Sequence, residues 1–180
     1  KSPHIFMTIF TAEQLSKYYR IVYPSDGLTT QLFGQNLLDM YAKWGLKGHM
    51  GIDFNGNKEP VKAAFDGVVH KINFFNGDSS MPWSISIWSD QIEEIEGQKV
   101  RLQACYVHVE STTLKEGEAV KRGQVVAISD NKGYPNYSTA PHLHFEIEPK
   151  YWSINDWVSD YANGYNGKID PLPFLSEYIV

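Results

Sequence analysis

Five runs of this chain are built from alternating or β-branched and aromatic residues, and each stops at a cluster of Gly, Asn, Asp or Pro. They are VKAAFDGVVHKI (61–72), WSISIWS (83–89), VRLQACYVHVE (100–110), GQVVAISD (123–130) and HLHFEIE (142–148). Such runs read as strands. Their short connections favour antiparallel pairing, so the expected class is mainly β within α+β. Helices are confined to the N-terminal part. TAEQLSKYYR (11–20) opens with Thr before Glu-Gln, a capped start. Residues 35–45 place Leu37, Leu38, Tyr41 and Trp44 at helical spacing and stop at Gly45. The last thirty residues read as irregular, with turns at NGYNG (163–167) and DPLPF (170–174).

Composition narrows what the chain can do. A length of 180 residues suits one domain with a sizeable core, and neither a linker nor a repeat interrupts it. The net charge is −5 and the longest basic run is Lys121-Arg122, which excludes nucleic acid as a general partner. No apolar stretch approaches the ~18 residues that membrane insertion requires. The single Cys105 permits neither an internal disulfide nor a CxxC zinc motif, and its apolar run makes it a core residue. The aromatic residues after position 150, Tyr151, Trp152, Trp157, Tyr161, Tyr165, Phe174 and Tyr178, read as a tail packed on the core.

Chemistry concentrates in the histidines. On a strand, residues i and i+2 share a face about 6–7 Å apart. His142 and His144 therefore project together, while Leu143, Phe145 and Ile147 face a core. In KGHMGIDFNG (47–56), His49 and Asp53 would lie about 13 Å apart on a flat strand. Gly48, Gly51 and Gly56 argue against a helix and permit a kink that brings the two together. In CYVHVES (105–111), Tyr106, His108 and Glu110 are expected on one face and Cys105, Val107 and Val109 on the other. His4 and His70 lack such context. A catalytic zinc takes three His or Asp/Glu ligands and leaves a fourth position for water. His49, Asp53 and one of His142 or His144 make such a set, and the remaining histidines are available for proton transfer.

GHMGIDF, EPVKAAFDGVV, YVHV, GEAVKRGQVVAI and APHLHFEI, in that order and spacing, resemble the lysostaphin-type M23 zinc metallopeptidases over about residues 29–148. The resemblance implies two antiparallel sheets forming an open groove with Zn2+ at its floor. It implies His49, Asp53 and His144 as metal ligands and His108 and His142 as the catalytic pair. It also implies hydrolysis of peptide cross-links or stem peptides of bacterial peptidoglycan. The chain then divides into an N-terminal extension (1–28), a core (29–150) and an aromatic-rich tail (151–180) within one domain. The FGQN opening and the NGYNGKIDPLPFL ending resemble phage and prophage members. The expected setting is extracellular, in the cell envelope or in a phage virion, as part of a larger secreted or virion protein. Asn36 stands where many members carry Arg, and SSMPWSIS (79–86) and SDNKGYPNYSTAP (129–141) depart from the family's usual turns. Two other readings fit less of the sequence. A non-catalytic wall-binding member would have lost ligands, and a biotinyl or lipoyl carrier, with Lys132 as its modified residue, leaves HxxxD and HxH unexplained.

Overall fold

The computed structural model describes residues 7–37, 39–132 and 138–175. His4, Leu38, residues 133–137 of the 129–141 loop, and Tyr178 lie outside them. Twelve strands are present among the described residues: β1 (Thr29–Gln31), β2 (Ile52–Asn55), β3 (Pro60–Lys62), β4 (Gly67–Phe74), β5 (Pro82–Ser89), β6 (Glu93–Ile95), β7 (Gln98–Val107), β8 (Val109–Ser111), β9 (Ala119–Val120), β10 (Val125–Ser129), β11 (His142–Ser153) and β12 (Asp156–Val158). Nine form one sheet in the order β1-β2-β11-β7-β5-β4-β9, with β12 added to β11 and β6 to β7. Three form a second sheet, β3-β10-β8. Every strand pairing is antiparallel. No helix among the described residues is long and apolar enough to cross a membrane.

One face of the large sheet is the core. Val100, Leu102, Ala104 and Tyr106 on β7, with Leu143, Phe145 and Ile147 on β11, are all fully buried. Val61, Val109, Val126 and Ala127 of the small sheet join the same cluster, as do Phe10, Leu15, Tyr19 and Ile21 of the N-terminal segment. Full burial of a side chain of this size contributes about 1.5–3 kcal/mol. The opposite face, carrying His142, His144 and Glu146, is left open as a groove.

Four departures from the sequence-based expectations concern where elements begin and end. The run 61–72 is two strands in different sheets. Between them, Ala63 N donates to Gln124 O at 2.8 Å and Ala64 N to the Tyr106 hydroxyl at 2.8 Å. The expected 35–45 helix reduces to a 3-10 turn at Tyr41–Trp44, ended as foreseen by Gly45 at φ +74°. The segment before it pairs elsewhere: Gly34 N donates to His49 O and His49 N to Gln35 O. The 11–20 helix is one capped turn, Ala12–Leu15 (α1), with the Thr11–Gln14 capping box intact. Past residue 150 the chain stays regular, because β11 runs to Ser153 and turns through Ile154 and Asn155 into β12. From the tail, Tyr151 and Phe174 are buried in the core, whereas Tyr161 is exposed.

Candidate metal centre in the groove

Two glycines build the kink that unites His49 with Asp53. A Cβ on Gly51 would stand 2.2 Å from Phe145 O, and one on Gly48 would stand 2.4 Å from Gly34 O. Only glycine lets the chain press this closely between residue 34 and β11. The resulting bend brings His49 Nε2 to 3.1 Å from Asp53 Oδ1. The antiparallel register sets Asp53 directly opposite His144, so both side chains leave the sheet on the groove face. His144 Nδ1 lies 2.9 Å from Asp53 Oδ1 and 2.9 Å from His49 Nε2. Among the described residues these three form the one cluster of potential metal-binding side chains. His70 stacks on Trp88 instead, at 3.9 Å between ring centroids.

The outer nitrogens orient both rings. His49 Nδ1 lies 3.1 Å from Leu32 O, and His144 Nε2 lies 3.0 Å from Glu146 Oε1. A carbonyl and a carboxylate accept only, so each outer nitrogen donates; the inner nitrogens converge on Asp53, sharing a proton with it in the metal-free centre and free to turn lone pairs to a cation once that proton leaves. Burial alone would raise the Asp53 pKa. Hydrogen bonds from His144 and His49 overcome this and hold the carboxyl well below the usual range. Burial likewise opposes charge on His144, yet Asp53 and Glu146 push its pKa up to about 10. The metal-free centre therefore takes up a proton, as expected where donors converge on a cation site. Ligand atoms ~2.0–2.1 Å from one tetrahedral zinc lie about 3.3 Å apart. The separations of 2.9–3.1 Å here need only a slight opening to accept that ion.

His108 and His142 complete the floor. His108 occupies the break between β7 and β8 with φ +66°, a left-handed conformation. This corrects the expected facing of residues 105–111. Tyr106 is buried in the core, and Val107 lines the groove. His108 reaches the groove only because the left-handed residue resets the alternation. Its Nδ1 donates to Lys132 O at 2.6 Å, leaving Nε2 as acceptor. Lys132 thus enters the site through its backbone. Burial, reinforced by His142 and His144, lowers the His108 pKa to about 3, so the ring is neutral at neutral pH. His142 Nδ1 lies 2.7 Å from Ala140 O, and its Nε2 lies 3.7 Å from Asp53 Oδ1. Cys105 lies across from Glu146 on the groove face and is half-buried rather than in the core; burial pushes its thiol pKa up, so it is no nucleophile.

Comparison with known proteins decides the family. A model described as Peptidase family M23 matches residues 47–156, a span that holds all five polar residues above. The chain belongs to peptidase family M23. Lysostaphin of Staphylococcus simulans is 34% identical to this M23 chain over 134 residues, covering 73% of the chain and 22% of the relative. The glycyl-glycine endopeptidase ALE-1 of Staphylococcus capitis is 32% identical over 134 residues, covering 73% of the chain and 30% of the relative. The M23 chain thus spans less than a third of the length of these curated relatives. The catalytic domain of lysostaphin from Staphylococcus simulans matches its fold with a TM-score of 0.50 at 25% identity, over 92% of this chain and 98% of that one. A zinc containing peptidase from Vibrio cholerae shares the fold with a TM-score of 0.56 at 21% identity, over 88% of this chain and 41% of that one. The M23 domain is a zinc-dependent metalloendopeptidase.

Several groups around the M23 site carried no role in the sequence reading. Tyr41 borders the groove, accepts from Gln31 Nε2 at 3.0 Å, and has its pKa raised by burial, so its phenol stays protonated. Trp83 meets the His108 ring edge-on at 6.3 Å. Period-two spacing sets Glu146 on the face of His142 and His144, but it does not announce the bond to His144 Nε2. Nothing local in the sequence marks Tyr41 or Trp83, whose neighbours come from other strands.

Proposed function

We propose that this domain cleaves peptide bonds in the cross-links or stem peptides of bacterial peptidoglycan, at the cell envelope or from a phage virion. The observation that carries the reading is the His49–Asp53–His144 cluster at the floor of a cleft of about 550 Å³, with His108 and His142 beside it. Met40, Tyr41, Trp44 and Trp83 wall this cleft, and its Asp53, Glu146 and Lys168 are each already paired with a neighbour. Such a cleft suits a slender, uncharged peptide. The name of the glycyl-glycine endopeptidase relative supports the same substrate class.

His49 Nε2, Asp53 Oδ1 and His144 Nδ1 would hold the zinc. When bound there, zinc supplies Lewis acidity that acidifies a water and polarises the scissile carbonyl. The neutral His108 accepts a hydrogen bond from that water through Nε2 and orients it toward the carbonyl carbon. The water oxygen bonds to that carbon, the C–N bond breaks, and the proton passes through the histidine pair to the leaving amine. The protonated Tyr41 phenol borders the same cleft and donates to the developing oxyanion, while His142, with Nδ1 turned to Ala140 O, offers Nε2 to the proton in transit. Incubation with peptidoglycans of differing cross-bridge chemistry, followed by mass spectrometry of released peptides, tests the reading. Release of defined peptides is expected; intact wall in every case would overturn it.

A further inference from the structure

The family match ends at residue 156, yet the chain beyond it returns to the metal centre. Asn163 knots this returning loop. Its Oδ1 accepts from Tyr165 N at 2.8 Å and Gly167 N at 3.1 Å, and its Nδ2 donates to Lys168 O at 2.8 Å. Ile169 N then donates to Ile147 O at 3.0 Å, fastening the loop to β11. Lys168 is thereby delivered beneath His144. Its Nζ lies 3.1 Å from Glu148 Oε2, 3.1 Å from Asn166 O and 3.8 Å from Glu146 Oε2. Glu146 presents its other oxygen, Oε1, to His144 Nε2. The result is a line of contacts, Lys168 to Glu146 to His144, that ends at the inward Nδ1 of His144.

We propose that Lys168 is a positioning residue for the zinc site, holding the Glu146 carboxylate so that His144 offers Nδ1 rather than Nε2 to the metal. The inference rests on the reading of His144 as a ligand. Lys168 also borders the cleft, where a free lysine would recruit a substrate carboxylate. Its ammonium is instead spent on two buried glutamates, with only 11% of the side chain exposed. Outer partners of metal-bound histidines typically change metal affinity 10–100-fold when removed.

The test measures zinc affinity of the full chain by competition with a chromophoric chelator. Lys168→Met is expected to weaken zinc about 10–100-fold, and Lys168→Arg to stay within a few-fold of the parent. In a Glu146→Ala background, Lys168→Met should add little, because the two act in series. Unchanged zinc affinity in Lys168→Met would overturn the inference, whether hydrolysis is normal or KM alone rises. His144→Ala serves as the control. If it retains zinc, the ligand assignment itself fails. If it loses zinc while Lys168→Met does not, only this inference fails. Should Lys168→Met not fold, nitrogen NMR of the zinc-loaded parent decides: Nε2 of His144 must carry the proton, and a ring with Nε2 on the metal refutes the proposal.

Discussion

The His108 and His142 rings face each other with centroids 4.5 Å apart, although one leaves a break between strands and the other begins β11. Asp130 splices their backbones: its N donates to His108 O at 2.8 Å, and its O accepts from His142 N at 3.3 Å. The pair therefore shares one backbone splice, and its outer nitrogens bond to the carbonyls of Lys132 and Ala140, whereas the inner nitrogens of His49 and His144 converge on Asp53.

That separation predicts distinct variant behaviour. His108→Ala and His142→Ala should each keep bound zinc and lose about 10²–10⁴-fold in hydrolysis. Metal analysis alongside digestion of purified cell wall checks both halves. Near-parental rates would remove these histidines from the reaction.

The metal side behaves oppositely. His144→Ala should abolish stoichiometric zinc, and chelators should inactivate the parent protein. Elemental analysis after gel filtration reads the first outcome. Full occupancy in the variant would contradict the ligand set.

Acid should weaken the fold through His108. Its folded pKa is about 3, against 6.5 as the ordinary value. Between those limits the unfolded chain binds a proton that the folded chain refuses. This contribution is thus fully present above about pH 6.5 and lost as pH falls toward 3, at up to ~1.4 kcal/mol per pH unit. In the metal-free chain His144 works the other way: its stabilisation is complete below pH 6.5 and lost as pH rises through about 10. Urea unfolding of the metal-free protein from pH 7 to 4 should therefore decline less steeply for His108→Asn than for the parent. Parallel curves would disprove the assignment.

Two glycines should respond differently to one added methyl. Gly45 has φ +74° and open space around it, so Gly45→Ala should cost only about 1–2 kcal/mol. Gly51→Ala drives a Cβ against Phe145 O and must part β2 from β11, with a larger loss of stability and of zinc. Thermal melts with metal titration compare them, and equal effects would contradict the close-approach argument.

The strands at 83–89, 123–130 and 142–148, and the facing of β11, were legible in the sequence because they depend only on local alternation. Leu143, Phe145 and Ile147 are core residues as that alternation requires. The meeting of His49 with Asp53 was legible only as a possibility, since the glycines permit a bend without saying where it leads. Residues 105–108 were misread for a physical reason. Alternation holds within one strand, and nothing local announces that the chain leaves one sheet for another at His108. The 35–45 helix failed for a related reason: residues 34 and 35 found hydrogen-bond partners at residue 49 rather than within their own turn.

The left-handed residue at position 108 also limits how this chain can vary in length. β7 pairs with β5 on one side and β11 on the other, and its inward and outward positions are fixed up to Val107. Removing or inserting one residue between 100 and 107 would exchange Tyr106 for a groove residue and turn His108 away from His142. The β11–β12 turn at Ile154 and Asn155 carries no such coupling, since Ile154 is 77% exposed. Natural and engineered relatives of this chain should therefore gain and lose residues freely at that turn, while the count of residues leading to His108 stays constant.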